Sequence, residues 1–279
     1  MTLDELIASP DAQIDLAGAA LCLAADEYPG LDAAHYMHCL SAHAEAVRRL
    51  LPDVTSAGAW PPEVVLEALA RHLFQTEGFS GNTSDYYDPR NSYLNEVLDR
   101  RIGIPISLSL VYMEVGQRLG LSIEPISFPM HFLVRVKVGQ MGIIVDPFNR
   151  GAVLDDDELI QQLIPVLGDR QRAEAYLPRA LAHVPRREVI ARMLRNLKAI
   201  YLSRKDWPRA LRIVDQLIRV DPAQADEIRD RGHLYVALEC AQAAFDDYER
   251  YLSLRPDAQD AAQIRTKMAA LRKLVSRLN

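Results

Sequence analysis

The last third of the chain repeats itself with a period of 34 residues. Three positions mark the period: Tyr201, Ala210 and Pro222 recur as Tyr235, Ala244 and Pro256. The segments WPRALRIVDQLIRVDP and AQAAFDDYERYLSLRP around them align without a gap. A fixed period of this length is produced by stacked pairs of helices, because each pair buries its apolar face only against its neighbours. The repeat therefore predicts an all-helical array after about residue 185.

The recurring residues are those on which the packing of helix pairs depends. Ala210 and Ala244 are small enough to let two antiparallel helices approach closely. Pro222 and Pro256 end one repeat and set the angle of the next, since proline does not continue a helix. Period and pattern together are typical of tetratricopeptide repeats. We predict two such repeats and a capping helix over residues 185–279.

The net charge changes sign where the repeats begin. Residues 1–185 hold 13 basic and 25 acidic residues, a net charge of −12, whereas residues 186–279 hold 19 and 13, a net charge of +6. Such a shift indicates modules with different surfaces. We predict three parts: an N-terminal helical segment over 1–60, packed on a core over 61–184, and then the repeats over 185–279.

Tetratricopeptide repeats predict a protein or peptide partner, with Tyr201 and Tyr235 as candidate contacts. The basic repeat part also gives a weak hint of a second hypothesis, a regulator associated with nucleic acid, although a solvated helical surface is the simpler explanation of the charge. The sequence has no phosphate loop, dinucleotide fingerprint, zinc-finger spacing or helix-turn-helix signature, so no cofactor and no metal is predicted and nucleic acid has no direct support. The oligomeric state is left open.

The location follows from composition. No apolar stretch approaches the ~20 residues of a membrane span. The acidic N-terminus lacks the basic residues of a secretory signal. The three cysteines are sparse and follow no disulfide pattern. We therefore expect a cytoplasmic protein with no membrane partner.

The central part predicts an α+β fold with a small antiparallel sheet. Three strands are expected over residues 122–128, 131–138 and 141–145, the last two joined by a turn at Gly139-Gln140. Pro105 suits the first turn of the helix before them, over 106–118. Further helices are predicted over 3–27 and 155–177.

The strand order brings together two residues that are able to carry chemistry. Antiparallel strands joined by a short turn place the start of one beside the end of the other, so His131 and Asp146 are expected to face each other. A carboxylate beside an imidazole fixes its tautomer and raises its basicity, as in nucleophilic triads. The nucleophile would stand at the start of the preceding helix, where the helix dipole stabilises an anion.

These central motifs resemble those of the SirB1 family of bacterial proteins. The resemblance is carried by GFSGNTSDYYDPRNSYLNEVLDRRIGIPISLSLVYMEVGQRLGL, FPMHFLVRV and VDPFNRG, and it extends from about residue 35 to the end. It implies a papain-like, transglutaminase-like domain followed by tetratricopeptide repeats, in proteins sometimes labelled as regulators of transcription. In the wider transglutaminase-like superfamily the catalytic set is Cys, His and Asp, and His131 and Asp146 match the last two.

The superfamily's catalytic cysteine is not matched by a cysteine in this chain. An ungapped match places Pro105 at the position of the superfamily's cysteine, and proline has no nucleophilic group. One hypothesis is a non-catalytic binding, scaffold or regulatory protein, a pseudoenzyme in which His131 and Asp146 are a retained pair supporting the sheet. Its rival is a hydrolase or acyl transferase that uses Ser107 with that pair. A Ser107 hydroxyl within hydrogen-bond reach of His131 would favour the enzyme, and a buried or distant one would argue against it.

The loop before the helix supplies candidate binding residues. It contains Tyr86, Tyr87, Asp88, Arg90 and Asn91. These side chains are predicted either to line a cleft around His131 or to fasten the loop through bonds to its backbone.

A third group consists of His35, Cys39 and His43, spaced four residues apart on one helix. Soft ligands on one face suggest the start of a zinc site. The first and last are roughly 12 Å apart along the helix, which is too far for one ion. Any site would use a pair completed from elsewhere, and we interpret the group as structural.

Overall fold

The computed structural model describes residues 2–53, 60–139 and 141–278, with side chains described as far as residue 273. It has two units, Met1–Ile190 and Ala191–Asn279. The first combines helices with two small sheets and the second is helical, which confirms the predicted α+β class. Among the described residues, no helix has the length and apolar character needed to span a membrane.

The helices of the first unit surround a buried central one. They are α1 (Leu3–Ile7), α2 (Leu16–Ala25), α3 (Ala33–Arg48), α4 (Pro62–Ala70), α5 (Leu94–Arg100), α6 (Pro105–Arg118), α7 (Asp156–Leu167) and α8 (Arg170–Ala180). Every residue of α6 from Pro105 to Gly116 is buried. A helix that is buried all round belongs to the core, and α6 contacts α3, α4, α5 and the sheet.

Two helices predicted as continuous are each divided. The helix expected over 3–27 is interrupted after α1, where Pro10 precedes a short 3₁₀ turn, Asp11–Gln13. The helix expected over 155–177 ends at Gly168, which has a φ of +97° and donates its N–H to the carbonyl of Ile164 at 2.8 Å. Glycine adopts this left-handed conformation without strain, so it closes α7, and α8 begins anew.

The larger sheet is a four-stranded antiparallel meander. Its strands are β3 (Ile123–Ile126), β4 (Leu133–Val138), β5 (Met141–Asp146) and β6 (Ala152–Leu154), numbered after a smaller pair, and they lie in chain order. Three of them were predicted, whereas β6 was not. Val134 pairs with Val145, so the residues just before β4 lie beside those just after β5. The predicted Gly139-Gln140 turn falls partly outside the described residues, which do not include Gln140.

One face of this sheet packs against α7 and α8. The buried side chains that join them are Ile126, Phe128, Leu133, Ile144, Leu159, Ile160, Leu163, Ala173, Leu177 and Ala180. Burying this apolar surface holds the sheet in place. The ends of β4 and β5 that carry the candidate residues are thereby fixed on a packed scaffold.

A short parallel ladder anchors the candidate binding loop. Its strands, β1 (Ser80–Gly81) and β2 (Ile102–Gly103), pair in register, and the N–H of Asn82 donates to the carbonyl of Gly103 at 2.9 Å. A Cβ at Gly103 would lie 2.7 Å from the hydroxyl oxygen of Ser107, so the close approach requires glycine. The ladder therefore holds the start of the loop against the start of α6.

The remaining helices follow the predicted repeats. They are α9 (Arg186–Ser203), α10 (Trp207–Val220), α11 (Ala225–Ala237), α12 (Ala241–Leu254) and α13 (Ala261–Leu278). Ala210 and Ala244 are both 0 % exposed, as expected for the small residues at which paired helices meet.

Candidate functional site

His131 and Asp146 form a hydrogen-bonded pair at the end of the larger sheet. The Nε2 atom of His131 lies 2.8 Å from Oδ2 of Asp146, which confirms that the two residues face each other. Asp146 is fully buried, and its carboxylate also accepts bonds from the N–H groups of Phe148 at 3.0 Å and Asn149 at 3.2 Å and from the Asn149 amide at 2.6 Å. The carboxylate is thus fixed by four donors.

This geometry sets the tautomer of His131. An ionised carboxylate only accepts hydrogen bonds, so the ring proton of a neutral His131 lies on Nε2 and the basic lone pair lies on Nδ1. The side chain is 17 % exposed, so solvent reaches one part of the ring. The pair has the geometry of the base and its orienting carboxylate in a nucleophilic triad.

The chain reaches His131 through a tight turn. The N–H of His131 donates to the carbonyl of Phe128 at 3.0 Å, with Pro129 in the second position of the turn. Met130 occupies the third position with a φ of +57°, although only glycine and asparagine adopt this conformation readily. Met130 is also 83 % exposed. A strained residue with an exposed apolar side chain beside the pair marks this turn as part of the candidate site.

The start of α6 lies next to the start of β4. The Ser109 hydroxyl donates to the carbonyl of Phe132, the residue after His131, at 3.4 Å. Pro105, one turn before Ser109, is the first residue of α6 and is buried. The structure therefore has the predicted order, a helix start beside the histidine strand, with proline as the first helical residue.

Ser107 has its hydroxyl engaged by the backbone. It is 0 % exposed, and its oxygen lies 2.7 Å from the carbonyl of Asn91, 3.1 Å from that of Ile104 and 3.0 Å from the N–H of Ile104. All three partners are backbone groups, so the hydroxyl caps the start of α6 and joins it to the loop. A nucleophile must be accessible to its substrate, so this burial argues against Ser107 in that role.

Two of the candidate loop residues instead hold the loop together. Asn91 is fully buried, and its amide donates to the carbonyls of Asp85 at 2.8 Å and Tyr86 at 3.3 Å. Asp88 is buried and accepts the N–H of Arg90 at 3.0 Å. Burial alone would raise the pKa of the Asp88 carboxyl, but the bonds from Arg90 hold it below its usual value. Asp88, Asn91 and the paired Arg90 therefore fasten the loop, which is one of the two alternatives predicted for these residues.

The other two loop candidates are exposed and connect to the pair through ring contacts. Tyr87 is 66 % and Tyr86 39 % exposed, and their ring centroids are 5.4 Å apart. The ring of Tyr86 lies 6.5 Å from that of Phe148, which lies 5.8 Å from the ring of His131. We call Tyr87, Tyr86 and Phe148 the aromatic row. Phe148 was not among the residues predicted from the sequence, although its place in VDPFNRG, two residues after Asp146, was a usable signal.

The two tyrosines of the repeats differ in exposure. Tyr201 is 3 % exposed, with the guanidinium of Arg209 at 5.9 Å from its ring centroid. Tyr235 is half-buried, with Arg231 at 5.8 Å from its ring. Because Tyr201 is buried, it belongs to the packing of the helices, and only Tyr235 is kept as a candidate contact.

The histidines and cysteine of α3 do not converge on one point. Cys39 Sγ lies 3.6 Å from His35 Nε2, whereas His43 turns to His72, whose Nε2 lies 3.0 Å from His43 Nδ1. Burial lowers the pKa of both His43 and His72. No short-range pattern in the sequence signals this pair, since 29 residues separate its members.

Comparison with known proteins agrees with this architecture. Residues 34–195 match the model of the transglutaminase-like superfamily, and residues 197–269 match that of the tetratricopeptide repeat. A UPF0162 protein of Xylella fastidiosa is 40 % identical over 261 residues, covering 94 % of this chain and 91 % of that protein. A UPF0162 protein of Pseudomonas aeruginosa is 30 % identical over 276 residues, covering 99 % and 96 %.

A eukaryotic protein shares part of the chain. Human F-box only protein 21 is 35 % identical over 144 residues, which is 49 % of this chain and 22 % of that protein. The UPF0162 proteins of these two bacteria match along nearly the whole chain. The chain therefore belongs to the transglutaminase-like superfamily, as a UPF0162 (SirB1-like) protein in which a transglutaminase-like domain is followed by tetratricopeptide repeats.

Proposed function

We propose that this chain is a non-catalytic binding protein of the cytoplasm, with a scaffold or regulatory role. Its transglutaminase-like unit presents the aromatic row and His131 to a partner, and its repeats bind a protein or peptide segment. The three cysteines, none in a disulfide, support a reducing compartment.

The observation that carries the proposal is the start of α6. Acyl transfer of the superfamily's kind needs a nucleophile there, beside the histidine. Pro105 supplies none, and the hydroxyl nearest to it in the sequence, that of Ser107, is buried and bonded to the backbone. At the position that the resemblance assigns to the nucleophile, the chain has a proline side chain, which cannot attack an acyl group.

The aromatic row supports binding as the use of the retained site. The exposed tyrosines of the row and the exposed Met130, which precedes His131 in the chain, offer apolar area together with hydroxyl groups. Aromatic residues and methionine are enriched in protein interfaces, and tyrosine buries a large rigid area at low cost in conformational entropy. We propose that the partner contacts Tyr86, Tyr87 and Met130.

The repeats contain a groove suited to a peptide. It has a volume of about 530 Å³ and lies between α12 and α13. Its lining combines apolar side chains with three basic ones: Phe245, Leu252, Met268, Ala269, Arg265, Arg272 and Lys273. This composition favours a segment that carries both apolar and acidic side chains.

Ion pairs within the repeats favour a protein partner over nucleic acid. Two basic residues are each held between two carboxylates: Lys198 by Glu227 and Asp230, and Arg231 by Asp247 and Asp215. Their positive charge is neutralised locally, which reduces the charge available to attract a phosphate backbone.

Quantitative affinity capture tests the proposal. The full-length protein is immobilised and exposed to a lysate of its source organism, and bound proteins are counted by mass spectrometry. We expect Tyr86→Ser/Tyr87→Ser, which removes both tyrosine rings of the aromatic row, to reduce retention of a partner about tenfold or more, as the loss of an interface anchor does. Arg272→Glu should reduce retention of a partner held by the repeats.

Met141→Ser is the matched control, since Met141 is 74 % exposed but begins β5, at the opposite end of the strand from Asp146. It should capture the same proteins as the unaltered chain. Identical capture by all variants would contradict both binding surfaces, and capture of nucleic acid alone would contradict the proposed partner class.

A further inference from the structure

A cluster of metal-ligating side chains lies outside the site described above. His43 of α3, His72 and Glu77 each offer one ligand atom, and these atoms lie within 4.8 Å of one another. The two ring nitrogens, Nδ1 of His43 and Nε2 of His72, are 3.0 Å apart. Two imidazole nitrogens and a carboxylate oxygen form a set that zinc uses in open, three-ligand sites.

The backbone holds these ligands in place. His72 lies in a single π-helical turn, Arg71–Thr76, that continues α4, and the N–H of Glu77 donates to the carbonyl of His72 at 2.9 Å. Such π turns are rare and occur often at functional sites. The ring of Phe79, just before β1, packs edge-on to His43 at 5.6 Å between centroids. The ligands thus come from α3 and from the π turn with the residue after it. This turn precedes β1, a strand of the β1–β2 ladder that anchors the candidate binding loop.

The chemistry of the cluster suits a divalent transition ion. His72 is buried, while His43 and Glu77 are half-buried, so solvent can reach the cluster and complete the coordination. Metal-bound histidine is neutral, and burial already favours neutral rings here by lowering both pKa values. Arg101 lies 2.7 Å from one oxygen of Glu77, but a carboxylate has two oxygens and about four lone-pair sites.

From the positions of these three side chains, we infer that His43, His72 and Glu77 bind one Zn²⁺ or a similar divalent transition ion. The ion replaces the proton that the two rings share across their 3.0 Å contact, and that proton moves through solvent to the other nitrogen of its ring. Zinc then joins α3 to the π turn and stabilises the base of the binding loop. This site is separate from the proposed binding function.

Isothermal titration with Zn²⁺ tests the inference on tag-free, full-length protein stripped with a chelator. We expect one ion per chain, and a loss of affinity of at least about tenfold in His43→Gln and in His72→Gln. Loss of an outer partner of a zinc ligand alone typically costs 10–100-fold. The matched control is His35→Gln/Cys39→Ser, which removes the neighbouring pair on α3 and should bind as the unaltered chain does.

A second measurement is the absorption spectrum of the unaltered protein with Co²⁺ bound. Co²⁺ in place of Zn²⁺ should give the visible absorption bands of a four-coordinate nitrogen and oxygen site, without a thiolate charge-transfer band. A thiolate band, or a loss of affinity confined to the His35→Gln/Cys39→Ser control, would place the ion at Cys39 and overturn the assignment. Failure of the unaltered protein to bind Zn²⁺ more tightly than His72→Gln would overturn it as well.

Discussion

Replacing Asp146 with Ala is expected to lower the free energy of unfolding of the transglutaminase-like unit by about 3–5 kcal/mol, because it removes a buried acceptor on which several hydrogen bonds depend. The carboxylate is fully buried and accepts four hydrogen bonds, from His131, from two backbone N–H groups and from the Asn149 amide. Alanine leaves these donors without an acceptor, at about 1–3 kcal/mol for each that stays buried.

Tryptophan fluorescence isolates this unit. The chain has two tryptophans, Trp60 in the first unit and Trp207 in the second, so Trp207→Phe leaves a reporter in the first. Urea unfolding in that background should show the predicted loss for Asp146→Ala. Asp146→Asn should lose less, because its amide oxygen still accepts the backbone N–H groups, and exposed Asp53→Ala should stay within about 0.5 kcal/mol. A change below about 1 kcal/mol for Asp146→Ala would contradict the bonding described here.

Replacing Arg231 with Ala is expected to destabilise the repeat unit by a similar amount, about 3–5 kcal/mol. The guanidinium donates to both oxygens of Asp247 at 2.7 Å and to Asp215 at 2.9 Å. The Asp247 side chain is only 7 % exposed, and the bonds to it raise the pKa of Arg231. Alanine leaves a buried carboxylate without its cation, so the cost comes mostly from Asp247.

A double-mutant cycle separates this cost from lost packing. In a Trp60→Phe background, urea unfolding reports the second unit through Trp207. Arg231→Ala/Asp247→Ala should be more stable than the sum of the two single changes predicts, because the second change removes the stranded charge. Arg250→Ala, at an exposed position on α12, should have almost no effect. Additive single changes would show that the ion pair does not couple α11 to α12.

The sequence predicted those parts of the fold that depend on regular or local patterns. The repeats follow from a fixed period, and the contact of His131 with Asp146 follows from a hairpin between two adjacent strands. β6 has three residues and the β1–β2 ladder pairs strands of two residues each, which is too short to show alternation. The division at Gly168 depended on a left-handed φ that composition alone does not specify.

The candidate site was predicted in part for the same reason. The pairing of His131 with Asp146 could be predicted from the sequence. Whether a loop residue faces solvent or fastens the loop depends on its burial, which the sequence does not give. Asn91 and Tyr87 lie four residues apart in one polar, aromatic loop, yet one is fully buried and the other is 66 % exposed. The His43–His72 contact joins segments distant in sequence, and no local rule brings them together.

Pro105 occupies the position at which the superfamily has its nucleophile, and the non-catalytic function proposed for this chain depends on that placement. The variant Pro105→Cys places a thiol there, and its alkylation by iodoacetamide at a series of pH values gives the pKa of that thiol from the peptide that contains position 105. We predict a pKa below about 7.5, since the thiol would sit at a helix start beside His131. It should rise toward about 8.5 when His131→Ala is added. The same thiol pKa with and without His131 would contradict this placement. It would also be contradicted if the chain that retains Pro105 formed an iodoacetamide adduct that is lost in His131→Ala.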